Sequence, residues 1–134
     1  MLKKINFKLA VHAMIALLSL VLVYHLIIIT GLIPYEATWG GRLQNREQML
    51  RFETVSIVVN LFILTVILIK GGYLKLKLPT MILKVLLWAF AVLFALNTVG
   101  NLASTSVLEL IIFTPLTAVS AVFCARLAVE RQTA

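Results

Sequence analysis

The second of four apolar stretches in this chain carries three polar residues, Glu53, Ser56 and Asn60, at spacings of three and four. Such spacings put side chains on one face of a helix. Carboxylate, hydroxyl and amide groups on one face can bind a cation or a small polar molecule, and a buried carboxylate can also act as a general base. Asn60 is equally well explained as a hydrogen-bonding contact between helices. The face is a candidate site in either case.

The other apolar stretches add further polar groups. Asn97 and Asn101 lie near the end of the third stretch, Glu109 lies at the start of the fourth, and His25 lies near the end of the first. Each has a structural alternative. Glu109 can form a capping box with Ser106 at a helix start, the asparagines can hydrogen-bond loop backbone, and His25 can simply pack or form an ordinary hydrogen bond.

The partner of Glu53 is open from sequence alone. Asn45, three residues before Gln48, is typical of a helix start, so Glu53 is expected about two turns inside the helix, where it is not an end cap. Glu47 and Arg51 are four residues apart and are expected to pair on the helix surface. Arg42, in the preceding loop, is then the candidate partner for Glu53.

The loop before this helix contains Trp39 followed by Gly40 and Gly41. Two glycines permit backbone conformations that other residues avoid, which predicts a structured segment that turns sharply and folds over the end of the helices. Trp39 also fits a plain anchor at the membrane surface.

The residues predicted to bind a ligand are all polar or aromatic and lie within the spans or the long loop. They are Glu53, Asn60, Asn97, Asn101, Glu109, Arg42, Trp39 and His25. No spacing motif supports a metal site, and the sequence predicts no cofactor. The single cysteine, Cys124, excludes an intrachain disulfide and is expected to be buried and inert.

The elements that must position these groups are membrane-spanning helices. Of 134 residues, 62% are hydrophobic and 13% charged, whereas a soluble domain has roughly half apolar and a quarter charged residues. We predict an all-α, four-transmembrane-helix bundle forming one membrane domain, 1–134. The spans are 9–29, 52–69, 80–99 and 106–125, each close to the roughly 20 residues that a crossing needs, with an outer loop at 31–51. Gly100 is expected to end the third span, and Pro115 to kink the fourth.

Positive charge predicts the orientation of the bundle. Nine of the twelve lysines and arginines fall at the ends shared by the two termini and the second loop, and the other three fall in the first loop. By the positive-inside rule, both termini are then cytoplasmic in a multi-pass cell-membrane protein. The basic residues flank apolar stretches and do not form a stripe, so no nucleic-acid partner is expected. The lipid bilayer is the expected partner, with a homo-oligomer or a larger membrane partner as further options.

Three segments carry a resemblance to known proteins: 39–43 (WGGRL), 97–101 (NTVGN) and 113–117 (FTPLT). They resemble those of small uncharacterised bacterial four-helix integral membrane proteins. The resemblance covers most of the chain and implies a bacterial inner membrane. It brings no activity with it.

Three functions are compatible with these features. The first is a module that binds or transports a cation or small polar ligand in a pocket open to the outer side. The second is an accessory subunit in which the polar residues serve only helix packing. The third is a lipid-modifying enzyme with Glu53 or His25 as general base, although the chain contains no Asp and no nucleophile motif. The sequence favours a protein that is not an enzyme.

Overall fold

The computed structural model describes residues 1–131, and they form four long helices with short connections. The helices are α1 (Phe7–Thr30), α2 (Arg46–Lys70), α3 (Thr80–Leu102) and α4, which consists of a π-helical turn (Glu109–Phe113) and an α-helix (Thr114–Val129). All four are long and apolar enough to cross a membrane. The described residues contain no strand. The all-α prediction and the four apolar spans are confirmed.

Helix α2 begins directly after Asn45, the cap that the sequence predicts. Asn45 caps the helix, because its side chain accepts a hydrogen bond from the backbone N–H of Gln48 at 2.8 Å. The Gln48 side chain accepts from the backbone N–H of Gln44, one residue before the position expected in a capping box. The predicted pair of Glu47 and Arg51 is present at 2.5 Å, with both side chains exposed. An exposed pair of this kind stabilises a helix by only a few tenths of a kcal/mol, about 0.3–0.5.

The helices pack as an incomplete ring. α1 lies between α2 and α4, and α3 packs mainly on α4, whereas α2 and α3 make little contact with each other. We call the end with residues 31–45 and 103–108 the loop end, and the end with residues 1–6 and 71–79 the termini end. The bundle is therefore closed on three sides and weakly closed on the fourth.

The apolar core fills the half of the bundle nearest the termini end. Its fully buried members come from all four helices and include Met14, Ile67, Leu87 and Leu127. Cys124 is also fully buried in this core, as the sequence predicts. Phe62 and Phe90 meet edge to face with ring centroids 5.8 Å apart, and this contact joins α2 to α3 in that half.

A polar network joins the chain ends at the termini end. Arg126 is 5% exposed, and it donates from Nε to the carbonyl of Ile5 at 2.6 Å and from Nη1 to Glu130 at 2.7 Å. The Lys70 ammonium donates to the backbone carbonyl of Glu130 at 2.8 Å. The segment before α1 and the ends of α2 and α4 are thereby held together.

Two local predictions change in detail. Gly100 does not end α3, which continues to Leu102 and is followed by Ala103. The irregularity expected at Pro115 takes the form of the π-helical turn that directly precedes the α-helical part of α4. Such turns are a known response where the regular ladder of hydrogen bonds is broken, and the Thr117 hydroxyl donates to the carbonyl of Phe113 at 2.8 Å.

Candidate ligand-binding cavity

A cavity of about 330 Å³ lies between the four helices at the loop end. This volume is at the lower end of the roughly 300–1,000 Å³ that is usual for small-molecule sites. All the residues that the sequence singles out for binding line it: His25, Trp39, Arg42, Glu53, Asn60, Asn97, Asn101 and Glu109. The helix ends bring them together from five places in the chain. That they bind a ligand stays a prediction.

Glu53 is the most deeply placed charged group of the cavity, with 0% of its surface exposed. Its Oε2 atom is hydrogen-bonded to Nδ1 of His25 at 2.5 Å, and its Oε1 atom accepts from Nε1 of Trp39 at 2.9 Å. The expected ion pair with Arg42 is wrong, since no ion pair joins these two residues within the described chain. Arg42 is exposed and lines the same cavity from the loop. The nearer indole and imidazole take the positions that Arg42 was expected to fill.

Trp39 is held in a conformation that few non-glycine residues adopt. Its φ of 53° is left-handed, which costs roughly 1–2 kcal/mol in an L-residue. Thr38, 2% exposed, anchors the turn by donating from its hydroxyl to the carbonyl of Tyr35 at 2.7 Å. The Trp39 ring also packs on Phe52, with centroids 5.0 Å apart. The strain is offset by these contacts, and the result is an indole directed at Glu53.

Glu109 makes the predicted contact at the helix start and also lines the cavity. Its backbone N–H donates to the Ser106 hydroxyl at 3.5 Å, which is half of a capping box. Its side chain accepts from the Ser104 hydroxyl at 2.5 Å and lines the cavity. The helix dipole also favours a carboxylate at a helix start, so it stabilises the Glu109 side chain at this position.

The three asparagines differ in what they contact. Asn60 donates to the backbone carbonyl of Ser56 in its own helix at 2.7 Å. Its amide therefore lines the cavity and does not bond to a neighbouring helix. Asn101 donates to the Thr117 hydroxyl on α4 at 3.3 Å. Asn97 is exposed, and its side-chain amide has no hydrogen-bond partner among residues 1–131. Only Asn101 therefore serves as a contact between helices.

Tyr24 is a cavity residue that lies outside the predicted ligand set. Its hydroxyl is buried and has no hydrogen-bond partner in the described part of the chain, and its ring packs on Phe113 with centroids 4.6 Å apart. Tyr24 lines the cavity beside His25, with Val21 and Ile28 on the same helical face. Spacings of three and four residues along α1 are the signal that could have found it.

Thr117 ties α3 to α4 beneath the cavity, and its removal is expected to destabilise the bundle. Thr98 donates to the Thr117 hydroxyl at 2.9 Å, and Asn101 donates to the same oxygen. Thr117→Val keeps the shape but removes both acceptor contacts. We expect a loss of about 1–4 kcal/mol in unfolding free energy, since two such contacts are lost and each contributes about 0.6–2 kcal/mol in membranes. Denaturation in mixed micelles measures it, with the exposed Thr54→Val as control; equal stability of the two variants would contradict the role.

No protein-family model, curated protein or solved structure matches this chain. Within residues 1–131 no group of three or more His, Cys, Asp or Glu side chains is arranged to hold a metal ion. The interpretation of the cavity consequently rests on its own geometry.

Proposed function

We propose that this protein is a multi-pass cell-membrane protein that binds a small organic cation in the cavity at its loop end. In this proposal both termini are cytoplasmic and the loop end faces the outside. The distribution of basic residues supports the orientation, because nine of twelve lie toward the termini end and cytoplasmic ends carry the excess of Lys and Arg. The segment with Trp39 then acts as a lid over the cavity.

The proposal rests on the burial and the hydrogen bonds of Glu53. It is fully buried at the wall of the cavity, and its two oxygens accept from an imidazole and an indole. Neither Lys nor Arg forms an ion pair with it in the part of the chain that the structure describes. A second carboxylate, Glu109, lines the same space. Two carboxylates, one exposed arginine and His25 line the cavity, and the excess of acidic side chains over Lys and Arg favours a positively charged ligand.

The arrangement supports binding over the alternative of an accessory subunit that only packs. Polar residues that serve packing alone are expected to pair across a tight helix contact. Here they surround an open space, and Asn60 bonds to its own helix. The half of the bundle beyond Asn60 is an apolar core, which favours binding from one side over transport by a single copy.

Cysteine labelling tests both parts of the proposal. In a Cys124→Ala background, Asn97→Cys reports on the cavity, Ala103→Cys reports on the loop end outside it, and Lys75→Cys reports on the termini end. With a membrane-impermeant maleimide added to intact cells, we expect labelling at 97 and 103, and labelling at 75 only after permeabilisation. The opposite pattern would overturn the orientation.

The same variants test the ligand. In the purified protein, tetramethylammonium is expected to slow labelling at position 97 about fivefold or more, as occupancy of the cavity requires, and to leave position 103 unchanged. Sodium chloride at equal ionic strength is the control for an effect of ionic screening on the labelling rate. Equal labelling rates with and without tetramethylammonium would overturn the binding of a small organic cation.

A further inference from the structure

The cavity reaches the side of the bundle where the ring of helices is weakest. α2 contributes Glu53, Ser56 and Asn60 to its wall, and α3 contributes Asn97 and Asn101. These two helices make little contact with each other, and the phenylalanine pair that joins them lies in the other half of the bundle. Helices α2 and α3 are therefore loosely packed beside the cavity at the loop end, and we call this side of the bundle the gap.

Residues of α3 at this gap line the cavity and are also exposed on the outer surface. Leu96 is 64% exposed, and Asn97 and Gly100 are exposed as well. A Cβ atom added at Gly100 would meet no neighbouring atom within 4 Å. Asn97 lies five residues before the end of α3, about 7 Å along the helix axis. An unpartnered amide in a span is costly in lipid unless a polar group meets it, so this opening lies where polar head groups and hydrocarbon meet.

We propose that the ligand is a cationic amphiphile, an alkylammonium that enters from the bilayer between α2 and α3. This inference rests on the proposed function and adds the class of ligand and its route. The ammonium lies in the cavity, where it is attracted by Glu109 and by the charge of Glu53, which is bonded to His25 and Trp39. The alkyl chain leaves past Leu96 into lipid. A cavity of about 330 Å³ is small for a long alkyl chain. The gap allows such a chain to stay in the lipid hydrocarbon while the cavity binds its head group.

Fluorescence of Trp39 provides the measurement, because its indole bonds to Glu53. The chain has two tryptophans, and Trp88→Phe leaves Trp39 as the only one. Decyltrimethylammonium and tetramethylammonium are titrated into this variant in lipid nanodiscs, with decanol as the uncharged control. We expect decyltrimethylammonium to bind about tenfold more tightly or better, since burying even two methylenes gives that factor, and decanol to leave the signal unchanged.

Gly100→Phe is placed to narrow the gap, because a Cβ atom at this position meets open space and phenylalanine favours a helix more than glycine does. We expect it to weaken binding of decyltrimethylammonium about tenfold and to weaken binding of tetramethylammonium much less, because only the longer ligand occupies the gap. Val99→Phe, one residue away on the exposed face and outside the cavity lining, is the matched control and should change neither.

The outcomes separate the two proposals. If the two ammonium ions bind equally tightly and Gly100→Phe changes neither affinity, the proposal of an amphiphilic ligand and its lateral route is contradicted, while the proposed function stands. A decanol response equal to that of decyltrimethylammonium would also overturn it, since the head group would then be irrelevant. If neither ammonium changes Trp39 fluorescence, the proposed function fails, and the amphiphile fails with it.

Discussion

Replacing Glu53 with glutamine is expected to weaken the binding of tetramethylammonium by about 30-fold or more, because losing one partner of a buried charge pair costs at least about 2 kcal/mol. The amide is nearly the same size as the carboxylate, and its oxygen can still accept from Trp39. The negative charge is lost and the shape of the cavity is kept. Titration monitored by Trp39 fluorescence in the Trp88→Phe background measures the effect.

Glu47→Gln is the matched control for this substitution. Glu47 lies on α2 as well, but its side chain is 76% exposed and pairs with Arg51 on the surface. It should leave binding unchanged. Glu53→Gln must also unfold at a denaturant concentration close to that of the parent. Unchanged affinity in a folded Glu53→Gln variant would show that this carboxylate is not the group that holds the cation.

Arg126→Ala is expected to lower the free energy of unfolding by about 2 kcal/mol or more, the cost of losing hydrogen bonds made by a buried charged group. Its side chain holds the carbonyl of Ile5 and the carboxylate of Glu130 at once, and it lies 5.8 Å from the centre of the Phe7 ring. Once it is removed, the segment before α1 should detach. Unfolding in mixed micelles measures the stability, and faster tryptic cleavage after Lys3 and Lys4 reports the detachment.

Two further variants test the cause of this loss. Arg126→Lys keeps the charge, but an ammonium cannot reproduce the two directed contacts of a planar guanidinium, so it should restore only part of the stability. Arg131→Ala removes a nearby exposed arginine and should change stability by less than about 0.5 kcal/mol. A full rescue by lysine would mean that charge alone matters at this position.

The helices themselves could be predicted from the sequence because their causes are local. A span needs only about 20 consecutive apolar residues, and all four helices are present with these properties. The start of α2 depends on Asn45 and the backbone three residues later, which are neighbours in the chain. The polar residues of each helix could be assigned to one face by spacing alone. For these features, the energies that decide the structure act between residues close in sequence.

The partners of the buried charges required the tertiary structure. Glu53 was expected to pair with Arg42, and it accepts instead from His25, 28 residues away, and from Trp39, which reaches it through a left-handed backbone. Spacing cannot show that a loop residue adopts such a conformation. The loose packing of α2 on α3 also depends on contacts between distant segments, because these two helices make few contacts with each other.

By itself, the sequence determined four apolar helices and the polar residues that each one contributes, because hydropathy and periodicity are properties of single segments. The tertiary structure was needed to show that His25 and Trp39 hold Glu53, and that the cavity residues Asn97 and Gly100 are also exposed. The physical reason is that these features depend on contacts between segments distant in the chain, which no local pattern encodes.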